Sequence, residues 1–404
     1  METLQSKLRF PEFQGDWDEN VFENLVKINQ GLQIPISERF LEEVENSYFY
    51  ITNEFLKEGS QKKYFIKNPT QSVLCTEDDI LMTRTGNTGM VVTNVKGAFH
   101  NNFFKIQFPE TINKGFLYYF LVLDKTQNLI KSLAGTSTIP DLNHSDFYKI
   151  EFIHPSLTEQ TKIANFLSSI DEKINLLKEK KALLEEYKKG MMQKIFNQEI
   201  RFKDDNGNDF EDWEEKRLGD LCIIKGRIGY RGYTVKDIVK KGEGAITLSP
   251  SNINNGKLTF ENSTYISWDK YYESPEIMIE ENDVVLVKTA SVGKSAIVKN
   301  VEMPATINPQ FVILKKIKID PAFLAYVIYD PIIQKQIVSA VGSGAVPNLS
   351  QESISNFTLP VPQIEEQTKI ANFLSAIDEK VGLMATQIED TQEYKKGLLQ
   401  QMFV

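Results

Sequence analysis

One segment constrains this chain more than any other, because it is present twice. EQTKIANFLSSIDEK (Glu159–Lys173) returns as EQTKIANFLSAIDEK (Glu366–Lys380), with Ser169 against Ala376 as the single change. The register then holds without a gap through Tyr187-Lys188-Lys189-Gly190 and Tyr394-Lys395-Lys396-Gly397 to Phe196 and Phe403, so corresponding residues stand 207 apart (366 − 159). In the first copy Ile163, Leu167, Ile170, Ile174, Leu177, Lys181, Leu184, Lys188, Met191 and Ile195 recur in alternating steps of four and three. The second copy gives Ile370, Leu374, Ile377, Val381, Met384, Ile388, Thr391, Lys395, Leu398 and Met402. A 3.5-residue spacing held over about five heptads is the pattern of a coiled-coil seam. Pro155 and Pro362 lie just upstream, and neither copy holds a proline that would break it. At about 1.5 Å per residue, the spacing predicts two helices of roughly 60 Å. The competing expectation is an ordinary amphipathic helix packed on its own domain, which such length and copying disfavour. Lys181 and Lys188 interrupt the apolar seam, and three roles stay open: pairing with acids, covering the seam with their stems, or marking where the helices splay.

The repeat extends beyond the helix. Leu8-Arg9-Phe10 returns as Ile200-Arg201-Phe202, each followed by an acidic turn and a tryptophan, Trp17 or Trp213. The segment 79–89 aligns with 283–293, Phe116-Leu117-Tyr118-Tyr119 with Phe323-Leu324-Ala325-Tyr326, and 135–142 with 342–349. The chain is therefore two copies of a globular unit of about 160 residues followed by a long helix, a duplication rather than a solenoid. Runs such as Ile80–Thr83, Phe103–Phe108, Val284–Val287 and Phe311–Leu314 read as strands. Glu110–Ser132 and Pro321–Val341 read as helices that turn Phe116, Phe120 and Leu129, or Phe323, Tyr326 and Ile333, inward. This mixture predicts an α+β unit with a curved sheet. Asn197–Asn208 reads as a loop between the copies. Whereas the helices are nearly identical, Asn29–Leu74 and Ile223–Pro275 share almost nothing. A common scaffold with dissimilar inserts implies one partner type for the helices and different ligands for the two units.

Composition then narrows the field. With 41% apolar residues, 25 Phe and 15 Tyr, the chain can build real cores. Cys75 and Cys222 are far apart and unmatched in the repeat, which argues against a disulfide framework or zinc site and predicts a reducing cytoplasm. The start METLQSKLRFPEF lacks the apolar stretch of a signal peptide, and Phe116–Leu123 is too short to cross a bilayer. A net charge of −9 is unexpected for a chain that binds nucleic acid unaided.

Several motifs have plainer readings. Ser291-Val292-Gly293-Lys294-Ser295 resembles the end of a phosphate loop, but Lys288 stands where its first glycine belongs and a strand follows, so a strand–turn–strand is expected. Asn308-Pro309-Gln310-Phe311 resembles an amino-methyltransferase motif, without its second proline or a glycine-rich cofactor loop. His100, His144 and His154 have no partners at metal-ligand spacing, and no nucleophile–base set can be assembled. The chain is expected to have no metal site, cofactor or catalytic residue of its own. The candidate DNA contacts come from Lys225-Gly226-Arg227-Ile228-Gly229-Tyr230-Arg231-Gly232-Tyr233, which interleaves cations, glycines and aromatics. They are Lys225, Arg227, Tyr230 and Arg231, joined by Arg84, Asn87 and Lys105 in the first unit and by Lys288, Ser291, Lys294 and Gln310 in the second. Thr136, Ser137 and Ser343, in small polar turns before a proline, complete the set. For any one of them, a solvated surface or structural turn is the plainer alternative.

These paired features resemble the specificity subunit of type I restriction–modification systems: dissimilar globular units, each followed by EQ-x-K-I-A-x-F-L-S-x-I-D-E-K, with YKKG segments and L/I-R-F…W openings, over essentially the whole chain. The resemblance implies target recognition domains at 1–157 and 199–364, with mixed sheet and helices. Conserved helices at 158–198 and 365–404 are then expected to form an antiparallel coiled coil with a pseudo-twofold repeat. It also implies a non-catalytic subunit that reads a bipartite, asymmetric double-stranded DNA site with half-sites about one helical turn, or 34–36 Å, apart. Two methyltransferase subunits and the motor-nuclease restriction subunits are the implied partners, and S-adenosylmethionine, ATP and magnesium are expected on them. The alternative is a coiled-coil adaptor whose globular units bind proteins.

Overall fold

The computed structural model describes residues 4–57, 59–135, 138–254, 256–301, 303–341 and 347–404. The chain forms two compact units, Met1–Glu179 with Ala385–Val404, and Lys180–Met384. These limits differ from the domain ranges that the resemblance implies for a physical reason. Each unit keeps the start of the long helix that follows its globular part and takes in the end of the other long helix.

In the first unit a four-stranded antiparallel main sheet runs in the order Lys27–Gln30, Phe103–Gln107, Ile80–Thr83, Val91–Val92. Ile28, Ile106 and Ile80 lie side by side in register, and Ile80, Phe104 and Ile106 join the core. The central strand Ile80–Thr83 is buried at every position, as its unbroken apolar run requires. A second, mixed sheet joins insert strands Phe65–Lys67, Ser47–Ile51 and Leu74–Cys75 to Gly97–Phe99 from beyond the insert, with one parallel pair. Asp18–Val21 pairs with Glu151–His154 and ties the opening of the unit to its end.

The second unit repeats this plan. Its main sheet runs Ile223–Gly226, Phe311–Lys315, Val284–Val287, Ser295–Ile297, with Ile224, Leu314 and Val284 in register. Its insert also contributes Ile238–Val239, Thr264–Ser267 and Gly244–Leu248 to a mixed four-stranded sheet, in a different strand order, completed by Ala305–Ile307 from beyond the insert. Sequences with almost nothing in common therefore make sheets of the same kind.

The two segments read as single long helices are each a pair. Pro321–Val341 divides into Pro321–Tyr329 and Pro331–Ala340. Pro331 has no N–H to give Val327 and drives Asp330 to an extended conformation, from which its carboxylate caps the Ile332 N–H at 2.9 Å. Glu110–Ser132 divides into Lys114–Val122 and Asp124–Leu133 without a proline. There Gln127 Nε2 donates to the freed Leu121 carbonyl at 2.6 Å and to Gly89 O at 2.7 Å. Gln334 makes the matching bonds to Ile328 and Gly293. The break resets the helical phase. Phe116, Phe120, Phe323 and Ile333 are buried as expected, but Leu129 is 41% exposed and Ile130 is buried in its place.

The long helices span Leu157–Phe196 and Ile364–Met402. Their first turns are anchored to their own units. Glu159, fully buried, receives Arg9 at 2.7 and 2.8 Å, and Glu366 receives Arg201 at 3.2 and 2.8 Å and Trp213 Nε1 at 2.9 Å. Gln160 accepts from the Asn113 N–H at 2.8 Å and donates to Pro155 O; Gln367 does the same with Asp320 and Pro362. Asn113 and Asp320 are themselves the N-caps of the helices that follow them. Hence the EQ of the repeat is an internal clasp. Ile163, Leu167, Ile170 and Ile174 sit in the first core with Leu398, Met402 and Phe403, while Ile370 and Leu374 share the second with Ile195 and Phe196. Ile377 and Met384 are also buried, whereas Leu177, Leu184, Val381 and Ile388 are half-buried.

The seam lysines have defined partners. Lys188 Nζ donates to both oxygens of Asp378 at 2.7 Å and lies over the Tyr326 ring, whose hydroxyl donates to the same carboxylate at 2.8 Å. In the first unit Lys395, Asp171 and Tyr119 form the same triad, at 2.5 Å and 2.8 Å. Within the second unit Lys188 meets Asp378 while Ile195 and Phe196, further along the same helix, share a core with the earlier residues Ile370 and Leu374, an antiparallel register. Lys181 instead pairs within its own helix with Glu185 at 2.8 Å. Burial, with the neighbouring carboxylate, holds both tyrosines protonated well above the usual phenol range.

Candidate nucleic-acid interface

One end of each main sheet gathers four chain segments. In the second unit Ile223–Gly226 and Val284–Val287 leave the sheet there, while Phe311–Lys315 and Ser295–Ile297 enter it. The pairs Gly226↔Val312, Val287↔Phe311 and Leu286↔Ser295 fix this arrangement. The phosphate-loop look-alike is the tight turn between Val284–Val287 and Ser295–Ile297. It closes on Gly293, at φ +92, where an added Cβ would lie 2.8 Å from Gln334 Oε1. The first unit matches it with the turn 84–90 and Gly89, at φ +93 against Gln127. Each turn is latched to the segment before the long helix, through Thr85↔Asp141 and Thr289↔Asn348 bridges.

The residues expected to meet DNA divide into outward groups and internal braces. In the second unit Lys225, Ser291 and Lys294 are exposed, and Tyr230 is 81% exposed at the tip of its loop. Arg231 is half-buried; it lies under the Tyr230 ring and donates to Glu273 O at 3.0 Å. Lys288 and Gln310 are half-buried, joined by a backbone bond of 2.8 Å, and the Gln310 side chain accepts from Asn308. Arg227 is buried. Its guanidinium donates to Ile307 O, Thr306 Oγ1 and Arg231 O at 3.2–3.3 Å, and burial lowers its pKa from the usual value. It is a strut beneath the loop.

In the first unit Asn87 is exposed. Arg84 is held by Asp141 at 2.6 Å and lies over Phe104, and Lys105 is buried with its ammonium on Leu74 O at 2.8 Å. Both cations are spent inside the fold. Thr136, Ser137 and Ser343 fall outside the described residues.

Two groups at these ends escaped sequence reading. In the first unit Gln30 Nε2 donates to Asn101 O at 3.1 Å, and Asn101 Nδ2 to Gln33 Oε1 at 3.2 Å. Asn101 Oδ1 is buried and unpartnered among the described residues. Beside them His100 accepts from the Asn102 N–H at 3.1 Å, and burial, aided by Arg39, lowers its pKa to about 4. In the second unit Trp268 and Tyr272 stack with ring centres 6.1 Å apart, and Tyr272 is 64% exposed. Their helix is next to the Tyr230 loop through the Arg231–Glu273 bond. An amide cluster assembled from two chain segments about seventy residues apart leaves no local signature; the Trp268…Tyr272 spacing was visible.

Comparison with known proteins assigns the family. The model of the type I restriction modification DNA specificity domain matches residues 15–186 and again 210–392. Over 404 aligned residues the chain is 26% identical to the type I restriction enzyme MjaVIII specificity subunit of Methanocaldococcus jannaschii, covering 97% of this chain and 92% of that one. Among solved structures, the fold is similar to a type I restriction–modification S subunit from M. genitalium, at TM-score 0.59 and 17% identity over 99% of both chains. A second, described as the structural basis of complex assembly and conformational transition of a type I restriction–modification system, aligns at TM-score 0.57 and 16% identity, covering 96% of this chain and 97% of that one. With both units matched by the same model, the chain belongs to the type I restriction–modification specificity subunit family.

Proposed function

We propose that each unit reads one half of a bipartite, asymmetric double-stranded DNA site through the loop end of its main sheet. The observation that carries this reading is the contrast between those two ends. The second presents cations, a hydroxyl and aromatics, Lys225, Lys294, Ser291 and Tyr230, with Trp268 and Tyr272 alongside. The first presents amides, Gln33 and Asn87, with Asn101 behind them. Asn and Gln pair with the adenine edge, and lysine with guanine acceptors or phosphate, so unlike ends select unlike half-sites. Arg227, Arg84 and Lys105 then shape the loops rather than touch bases.

The chain acts without catalysis of its own. Its long helices set the half-site spacing and dock two methyltransferase subunits, which join motor-nuclease restriction subunits and carry S-adenosylmethionine, ATP and magnesium. Exposed apolar side chains at matched positions of the two helices support such docking: Leu176 with Leu383 and Tyr187 with Tyr394, each more than half exposed. The net charge of −9 accords with partners that supply much of the phosphate contact.

The test is DNA binding by the chain assembled with its methyltransferase partner. Tyr230→Ala and Lys225→Ala are expected to weaken the half-site of the second unit by about 1–3 kcal/mol per lost base contact, leaving the other half unaffected. Equal loss on every duplex marks phosphate contacts. Unchanged binding, or capture of proteins by the globular units with no preference among duplexes, favours the adaptor reading.

A further inference from the structure

The second unit holds a cavity of about 740 Å3 that the DNA reading does not use, floored by Ala325 and Tyr326 and walled by Met192, Leu258 and Ile297. Internal comparison shows what is missing from it. At the position of Ala325 the first unit has Tyr118, whose ring packs edge-on against Tyr119 at 5.2 Å and lies near Asp171. At the position of Pro331 it has Asp124, paired with Lys396 at 3.2 Å. The second unit keeps the same triad of Lys188, Asp378 and Tyr326 but lacks both the ring and that ion pair. It adds instead a hairpin, Ile253–Asn254 with Lys257–Leu258, that forms a further wall.

The lining has a charge preference. Lys188 is matched by Asp378 and Glu185 by Lys181. Lys189, Lys257 and Lys299 also line the cavity, and among the described residues none of them has an ion-pair partner; Lys257 donates only to the Asp378 carbonyl and Lys299 to the Asn282 side chain. Two acids oppose them: Glu379, which is exposed and unmatched, and Asp330, which is buried with its carboxylate turned to cap the Ile332 N–H. The volume falls in the range of sites that enclose a drug-sized ligand, far more than one ring occupies. We propose that this cavity receives an aromatic side chain from an acidic segment of a partner polypeptide, its ring taking the place that Tyr118 fills in the first unit, its acids meeting Lys189, Lys257 and Lys299.

The probes are three blocked tripeptides, Glu-Tyr-Glu, Lys-Tyr-Lys and Glu-Ala-Glu, titrated against the full chain by ligand-observed NMR. Glu-Tyr-Glu is expected to bind saturably, at least tenfold tighter than either of the others. Ala325→Tyr, which rebuilds the first unit's own ring, should weaken it tenfold or more. Lys257→Glu with Lys299→Glu, which leaves the core untouched, should do the same and keeps the test independent of how well the larger side chain packs. No binding by Glu-Tyr-Glu, equal binding by Glu-Ala-Glu, or an Ala325→Tyr chain that binds as the parent would overturn the proposal. Binding of free p-cresol without Glu-Tyr-Glu would also overturn it, by making the site one for a small phenol.

Discussion

At the residue scale, the triads of Lys188, Asp378, Tyr326 and of Lys395, Asp171, Tyr119 carry the helix pairing. The lysines retain only 21% and 17% side-chain exposure, so each bond is charge-assisted and partly shielded from water. Lys188→Ala is expected to destabilise the second unit by about 1.5–3 kcal/mol, the range for a hydrogen bond to a charged group. A double-mutant cycle with Asp378→Asn should show coupling above about 0.5 kcal/mol, and simple additivity in urea denaturation would refute the pairing. His100 gives a pH dependence. Its folded pKa, about 4, lies below the ordinary histidine value of 6.5, so the unfolded chain takes up the proton first. The stability of the neutral form is therefore present above about pH 6.5 and is lost as the pH falls toward 4. Replacing His100 by Gln should flatten the thermal-melt profile of the first unit across that window; an unchanged profile would place the acid sensitivity elsewhere. The triad residues were legible as repeated letters, but their partners were not, because the lysine and aspartate of each pair stand 190 or 224 residues apart in sequence. Arg227 shows the converse failure: a glycine- and arginine-rich run marks a loop, yet cannot say which arginine points inward.

At the scale of elements, periodicity located the long helices and the four buried strands closely, because each repeats a simple spacing over many residues. It failed at the break in Glu110–Ser132, where no proline marks the break and the freed Leu121 carbonyl is met by the Gln127 side chain, which also reaches Gly89 O. It also credited the whole seam to helix pairing. Ile163 to Ile174 are core residues of the first unit as much as seam residues, and the matching stretch serves the second. Ile170→Asp or Ile377→Asp is thus expected to cost about 3–5 kcal/mol as an uncompensated buried charge, unfolding its unit rather than only loosening the helices. Calorimetry of each variant distinguishes these outcomes. Docking is better probed on the outer face. Leu176→Arg with Leu383→Arg should leave the melting temperature within a few degrees while reducing co-purification of the methyltransferase; normal assembly would remove those leucines from the docking surface.

For the whole molecule, duplication followed by divergence explains the division of labour. The clasps Arg9–Glu159 and Arg201–Glu366, the glutamine braces and the lysine triads keep both copies built alike, while the inserts 29–74 and 223–275 change chemistry on sheets of one kind. That explains why the family and the two-unit plan were readable from the chain alone, whereas the reading groups were not: the scaffold repeats, and the inserts have no internal copy to compare. The most direct measurement is methylome sequencing of a host expressing the chain with its methyltransferase, before and after exchange of residues 199–364 for the second unit of another family member. Reading by halves predicts a two-part motif in which one half changes while the other half and the spacer persist. A motif that stays intact, or changes in both halves, would contradict it.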